Sequence, residues 1–233
     1  MSTKIVSLSG ESETGKDTFA APLIKRGWKY ASFAEPLKEM CKQLFGIADY
    51  FVNDPTGKKS MFVRPRILTP KIYAQIIGYM EKSYHLEDMQ DIISKVRQEC
   101  VDKPFKNTGK YLEFSSPRKL LQFVGTDICR EVFPEYFLDM LKKELDRDVR
   151  NAVITDSRFP NEREMLKNEF GATLIRIKRP GYTLDSEMNN RPQVEGSVVH
   201  VSESSLGADS EYDIIILNNG NIDELQTRAL TLL

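Results

Sequence analysis

Lys4-Ile5-Val6-Ser7-Leu8-Ser9-Gly10-Glu11-Ser12-Glu13-Thr14-Gly15-Lys16-Asp17-Thr18 is the stretch whose reading decides the fold. The apolar run at 5–8 reads as a buried strand, and a helix signal begins after Gly15. Between them, Gly10 to Lys16 fits the GxxxxGK pattern of a phosphate-binding loop in its required strand-to-helix setting. Such a loop turns its backbone N–H groups inward around phosphate oxygens, so it needs glycine where φ is unusual. The helix N-terminus behind it adds a partial charge of about +0.5. Gly10, Glu13, Thr14, Gly15, Lys16 and Thr18 are therefore candidate nucleotide-binding residues, with the Lys16 ammonium bridging the β- and γ-phosphates. A glycine turn that simply starts a helix is the plainer alternative. After Lys16 this pattern usually has Ser or Thr to hold Mg²⁺, and here Asp17 stands there. As a hard oxygen ligand Asp17 suits magnesium, directly or through water; the competing reading is an acidic first-turn residue favoured by the helix dipole.

Working outward, four more apolar runs, at 30–34, 152–155, 173–177 and 212–217, are continuous rather than alternating, as parallel strands covered on both faces should be. Phe19, Leu23 and Ile24 are expected on one face of the first helix, which stops at Gly27. A charged helix at 161–170, closed by Gly171, is the crossover between the third and fourth strands. From 37 to about 145 no strand run occurs. Thr69-Pro70 opens a helix with Ile72, Ile76, Ile77 and Met80 on one stripe, Ser116-Pro117 opens another, and 54–70 and 101–116 read as loops. The expectation is an α/β core at 1–36 and 151–233, a helical insertion and return at 37–150, and a lid at about 179–211.

Composition narrows the function. Lys+Arg at 33 against Asp+Glu at 34 leaves −1, so no global cationic excess favours a nucleic-acid backbone or an anionic membrane. Cys41, Cys100 and Cys129, with His85 and His200 the only histidines, make neither a disulfide framework nor an ordinary zinc site. A reducing cytosol and no export are the expectation, since the N-terminal apolar run is too short for a signal peptide.

The run at 152–155 continues into Asp156-Ser157-Arg158, at the carboxyl edge where open α/β sheets bind ligands. Asp156 reads as a second magnesium carboxylate or as a base near the acceptor phosphate, and Arg158 as a bidentate phosphate clamp. A turn or helix cap is the plainer role for Asp156. Asn161 and Glu162 read as the start of the next helix. Arg118, Gln122 and Arg130, with Gly125 between them, fall near one helical face, which suits a monophosphate and a base; the alternative is a surface face whose back, Leu120, Leu121 and Val124, meets the core. Arg176, Lys178 and Arg179 precede a polar stretch to Glu211 and are placed to neutralise a phosphoryl group in flight. Asn218-Asn219-Gly220-Asn221 either receives an adenine ring or is only a turn. His200, beside Ser202 and Glu203, has no second metal-type partner and reads as structural or substrate-orienting.

Seven segments in order, GESETGKDT at 10–18, SFAEPLK at 32–38, RKLLQFVGTDICR at 118–130, ITDSRFPNE at 154–162, KRPG at 178–181, HVSE at 200–203 and ILNNG at 216–220, together resemble the bacteriophage deoxynucleoside monophosphate kinases of the adenylate-kinase-like P-loop group. The resemblance implies a P-loop fold with a five-stranded parallel sheet, ATP as phosphoryl donor, Mg²⁺ and a helical acceptor-binding insertion. It also implies a dNMP acceptor for DNA precursor synthesis, and it suggests a homodimer in the cytoplasm, that of the host cell if the protein is viral. By position it places Phe33, Lys38, Arg118, Gln122, Gly125, Thr126, Asp127 and Arg130 on the acceptor side, joined by Arg158, His200 and Glu203, with Arg176 and Arg179 in the lid. Residues 47–115 match no family motif, so base selectivity stays open. A dephospho-coenzyme A or phosphomevalonate kinase would share the core and differ in its acceptor pocket. A non-catalytic ATP sensor would need no second phosphate site, and Arg118, Arg130, Arg158 and Arg179 argue against it.

Overall fold

The computed structural model describes residues 4–84, 111–146, 150–180 and 205–232. In chain order the elements are β1 (Lys4–Ser9), α1 (Lys16–Lys25), β2 (Lys29–Ala31), α2 (Glu35–Phe45), α3 (Asp49–Asn53), α4 (Pro55–Lys59), β3 (Arg66–Leu68) and α5 (Pro70–Tyr84). There follow β4 (Leu112–Phe114), α6 (Pro117–Gln122), a π-helix (Phe123–Arg130) and α7 (Tyr136–Leu145). The chain ends with β5 (Asn151–Ile154), α8 (Pro160–Phe170), β6 (Thr173–Lys178), a 3₁₀ turn (Asp209–Glu211), β7 (Ile214–Leu217) and α9 (Ile222–Leu232). Two compact units result, Met1–Phe33 with Leu141–Leu233, and Ala34–Met140. The joints expected at 36/37 and 150/151 thus fall at 33/34 and 140/141, because α2 begins as soon as β2 has turned away and α7 runs through the second joint.

In the first unit five strands form one parallel sheet in the order β2-β5-β1-β6-β7. All of β1 after Lys4 is buried, which is why its sequence shows no alternation. Val6, Leu8, Val153, Ile175, Ile177 and Ile216 meet Phe19, Ala20 and Leu23 of α1 and Leu225 and Ala229 of α9 in one core. Crossover helix α8 packs on β1 and β6. Ile24, expected on the buried face of α1, is 40% exposed. Phe19 and Leu23 stack at i and i+4, and the next residue points about 100° away from them. Two strands are shorter than their apolar runs. β2 stops at Ala31 because Ser32 and Phe33 turn aside to bond Asp156, and β7 starts at Ile214 because Tyr212 N–H bonds back to Asp209 in the 3₁₀ turn.

The second unit carries a feature that contradicts the all-helical reading of 37–145. β3 and β4 pair antiparallel, Arg66 opposite Phe114 and Leu68 opposite Leu112, inside the two stretches expected as loops. Three-residue strands are too short to display a period. The stretch 54–70 also holds α4, whose first turn is capped by Asp54 Oδ1 accepting from the N–H groups of Thr56 (2.8 Å) and Gly57 (3.0 Å). α5 begins as its sequence signals, with Ile72 N–H donating to Thr69 Oγ1 at 3.2 Å. Ile76, Ile77 and Met80 are fully buried, while Ile72 is half-buried and Tyr73 completes the stripe.

Cys41 and Cys129 are both buried in this core as free thiols. Burial pushes the Cys41 thiol from 9.0 up to about 12, and raises Cys129 for the same reason. A folded-state value above the unfolded one means that the folded protein holds these protons longer, so the stability is fully present below pH 9 and is lost as pH rises towards 12. The thiols should therefore pull the urea midpoint down between pH 9 and about 10.5, and the Cys41→Ala/Cys129→Ala variant should lack that fall. Equal slopes would show that the thiols do not drive it.

Candidate active site

The phosphate-binding loop leaves the carboxyl end of β1, where the strand order changes direction between β5 and β6. Its backbone is unusual in the way the motif requires: φ is +148° at Gly10 and +104° at Gly15, and Glu13, at +64°, is the non-glycine residue with positive φ among the described residues. A Cβ at Gly10 would lie 2.4 Å from the Ile177 carbonyl oxygen, so β6 backbone occupies the space any side chain would need. Thr14 Oγ1 donates to the Glu11 carbonyl at 3.0 Å, and Asn218 Nδ2 donates to the Thr14 carbonyl at 2.9 Å. Thr14 and Asn218, both expected to touch nucleotide, are thus braces of the loop through these bonds.

Lys16 Nζ folds back on the loop, donating to the carbonyls of Gly10 (2.8 Å) and Glu11 (2.5 Å). Burial, then the charge of Arg158, lower its pKa from 10.5 to about 8 against the opposing pull of Asp17, Asp156 and Glu11. An amine already short of proton affinity gains it back when phosphate charge arrives. Asp17 is exposed and Thr18 half-buried at the start of α1.

Asp156 follows β5 at the same edge, tied there by Ser9 Oγ donating to the Ser157 carbonyl at 2.8 Å. Its carboxylate accepts from Ser32 Oγ (Oδ2, 2.7 Å) and from Phe33 N–H (Oδ1, 3.0 Å). It thereby holds the loop after β2. Arg158 is pinned by its neighbours: its N–H and that of Phe159 donate to Glu162 Oε2 (2.7 and 3.0 Å), and its carbonyl accepts from Arg163 Nη1 at 3.0 Å. Glu162 does begin α8, and its carboxylate also shapes the loop ahead of it.

Other expected residues are placed elsewhere. Arg176 Nη1 donates to the Gly207 carbonyl (2.8 Å) and Asp209 Oδ1 (2.9 Å), so its guanidinium is tied to the segment before β7. Arg179 is exposed just beyond β6. Gly220 lies in the turn before α9, where a Cβ would meet Glu224 Oε2 at 2.0 Å and Asn221 Oδ1 accepts from Glu224 N–H at 2.9 Å. This turn is the start of α9. His200, Glu203 and most of the expected lid lie outside the described residues.

Within the second unit, Lys38 is buried with Nζ on Glu35 Oε2 at 3.1 Å. Arg118 and Gln122 are half-buried on α6, but Arg130 ends the π-helix, so the spacing argument from a continuous α-helix does not hold. An i→i+5 ladder advances less than the α-helical 100° per residue, which brings Arg130 back towards the line of Arg118 instead of leading it round the helix. The Arg130 guanidinium lies 5.0 Å from the Phe137 ring centroid. Leu120 and Val124 are buried as expected, Leu121 only half. Gly125 is buried where a Cβ would come within 2.7 Å of Leu37 Cδ2; Thr126 is half-buried and Asp127 exposed. Phe33, in the first unit, is buried.

Sequence reasoning misses Ser32 and Arg163. Glu162 carries a signal in its position three residues after Phe159, the capping-box spacing; Ser32 and Arg163 carry none, since only the fold supplies their partners.

A parallel sheet with a glycine loop at its switch point, a lysine folded into that loop and a carboxylate and guanidinium at the end of the neighbouring strand define a P-loop nucleotide-binding protein. Residues 68–229 match the family model of deoxynucleotide monophosphate kinase, and the chain belongs to that family. It is 30% identical over 191 residues to the deoxynucleoside-5'-monophosphate kinase of Escherichia phage T5, covering 70% of this chain and 71% of that protein. A protein of Acanthamoeba polyphaga mimivirus, provisionally named a deoxynucleotide monophosphate kinase, is 29% identical over 244 residues, covering 97% of this chain and 94% of that one. Among solved structures, dephospho-CoA kinase from Campylobacter jejuni aligns with a TM-score of 0.40 at 12% identity, covering 98% of this chain and 94% of that one.

Proposed function

We propose that the protein transfers the γ-phosphoryl group of ATP to a deoxynucleoside monophosphate, giving the diphosphate and ADP. The observation that carries this is Lys16 folded onto the phosphate loop, within the electrostatic reach of Arg158, in a chain of this family. An acceptor phosphate oxygen attacks the γ-phosphorus in line as the bond to the β-phosphate oxygen breaks, so the protein's work is positioning and charge neutralisation. Loop N–H groups hold the donor phosphates, Lys16 follows charge on the β- and γ-oxygens, and Arg158, with Arg179, meets charge on the transferred group. Lys38, Arg118, Gln122 and Arg130, with Gly125, Thr126 and Asp127, serve the acceptor.

Three carboxylates, those of Glu11, Asp17 and Asp156, act on the Lys16 ammonium against one further cation, Arg158. That donor set fits a divalent cation. Mg²⁺ is commonly bound by one or two carboxylates together with substrate phosphates. Asp17 and Asp156 would hold it, and when bound it neutralises phosphate charge. No helix among the described residues is long and apolar enough to cross a membrane; the cytoplasm, of a host cell for a viral protein, and a homodimer complete the proposal.

Coupled ADP release across the four deoxynucleoside monophosphates, their ribose counterparts and dephospho-coenzyme A tests it. Turnover with deoxynucleotides is expected; turnover confined to dephospho-coenzyme A, or ATP binding without any transfer, would overturn it. Arg130→Ala should raise the acceptor KM on the order of tenfold or more, as loss of a charged hydrogen bond does, and leave the ATP KM unchanged.

A further inference from the structure

Arg163, on α8, is only 3% exposed. Long charged side chains are rarely buried this fully unless their partners are specific. Its Nη1 donates to two carbonyls, Arg158 (3.0 Å) and Ser205 (3.2 Å), while Nη2 pairs with Glu211 Oε2 at 2.5 Å. Its guanidinium also lies 5.4 Å from the Tyr212 ring centroid, and that of Arg176 lies 5.5 Å from the same ring. The segment 205–212 is thus gripped by one arginine from α8 and one from β6, and Tyr212 Oη closes it by donating to the Leu206 carbonyl at 2.6 Å. Gly207 shows how close the fit is. With φ at +71°, a Cβ there would lie 2.3 Å from Glu211 Oε1 and 2.6 Å from Arg163 Nη2.

Both backbone polar groups of Arg158 are held, the N–H by Glu162 and the C=O by Arg163. Such a double hold fixes the φ/ψ of one residue. The Arg158 charge acts on the Lys16 ammonium as a like charge beside the carboxylates of Glu11, Asp17 and Asp156, so before phosphate enters the guanidinium has both a repelling neighbour and competing anions. A flexible guanidinium would swing away and have to be recovered at each turnover. We propose that Arg163 is a positioning residue for phosphoryl transfer, its guanidinium locking the Arg158 backbone to the frame formed by segment 205–212 so that Arg158 stays aimed at the phosphate site before substrate binds. The proposal rests on the kinase reading and adds to it a residue that touches no substrate.

The test is a double-mutant cycle in the full chain, with kcat and KM measured separately and melting temperature recorded. Arg158→Ala alone tests the site: unchanged transfer would sink the reading of Arg158 itself. Arg163→Met should lower kcat on the order of 10²-fold, the scale of a misplaced group, with a small effect on the ATP KM. Arg163→Lys, which keeps charge but not the fork that spans three acceptors, should recover only part of the loss. In the Arg158→Ala background Arg163→Met should cost little further activity while its effect on melting temperature persists. Equal losses of kcat in both backgrounds would show that Arg163 only supports the fold, and the proposal would fail. Should Arg163→Met not fold, Glu211→Gln loosens the same guanidinium from the exposed side and must show the same coupling to Arg158.

Discussion

Lys16→Met is expected to lower kcat on the order of 10²–10³-fold, the usual effect of removing one preorganised donor to transition-state charge. The fold should survive. Burial and Arg158 already hold the Lys16 amine at a pKa of about 8, so an isosteric apolar side chain removes a poorly solvated charge and gives up only two bonds to loop carbonyls. A melting temperature close to that of the wild type beside a large loss of transfer is the expected pair of results; normal turnover would count heavily against the loop as the donor site. The same lysine sets a pH dependence. Incoming phosphate charge raises its pKa again, so above pH 8 binding takes up a proton, and ATP affinity should fall by up to about tenfold per pH unit. In the nucleotide-free protein the sign is opposite: the unfolded chain holds this proton up to 10.5, so between 8 and 10.5 Lys16 contributes stability that rises with pH, counter to the two thiols above 9. Titration calorimetry in buffers of different ionisation enthalpy would detect the proton, and Lys16→Met should abolish it.

Asp156→Asn separates charge from tether. An asparagine oxygen can still accept from Phe33 N–H, and the Ser32 hydroxyl can rotate to accept from the new amide, so the loop after β2 stays anchored. The negative charge is lost. Turnover should fall on the order of 10²-fold or more with a raised Mg²⁺ requirement, while stability changes by about 1 kcal/mol at most. Asp156→Ala should lose both activity and stability, since it leaves a buried serine and a backbone donor without their acceptor. If the asparagine variant kept full activity, the carboxylate would be only a tether.

Chemistry that depends on neighbours in the chain is legible in the sequence. The loop from Gly10 to Lys16 announces itself because positive φ needs glycine and the helix follows at once, and the buried strands show as unbroken apolar runs. The Thr69 cap and the crossover helix ending at Gly171 are equally local. Sequence reading fails where a remote partner decides the outcome. Arg176 looks like any cation at a strand end until Asp209 claims it, and Asn218 looks like a turn residue until its amide reaches Thr14. The β3–β4 ribbon joins segments whose three-residue strands show no period. The turn that carries Arg130 back towards the line of Arg118 is a π-helix, which residue spacing read as α-helical does not show.

What the sequence determined by itself is the phosphate loop, the parallel α/β core and the set of charged residues at its carboxyl edge, because steric limits on φ and the burial of apolar runs act over a few residues. Which of those charges are spent on the scaffold was decided only by tertiary structure. A hydrogen bond is won by whichever partner folding brings within 3 Å, and for Arg163, Arg176 and Asp156 those partners lie more than thirty residues away or are backbone groups with no signature in the sequence.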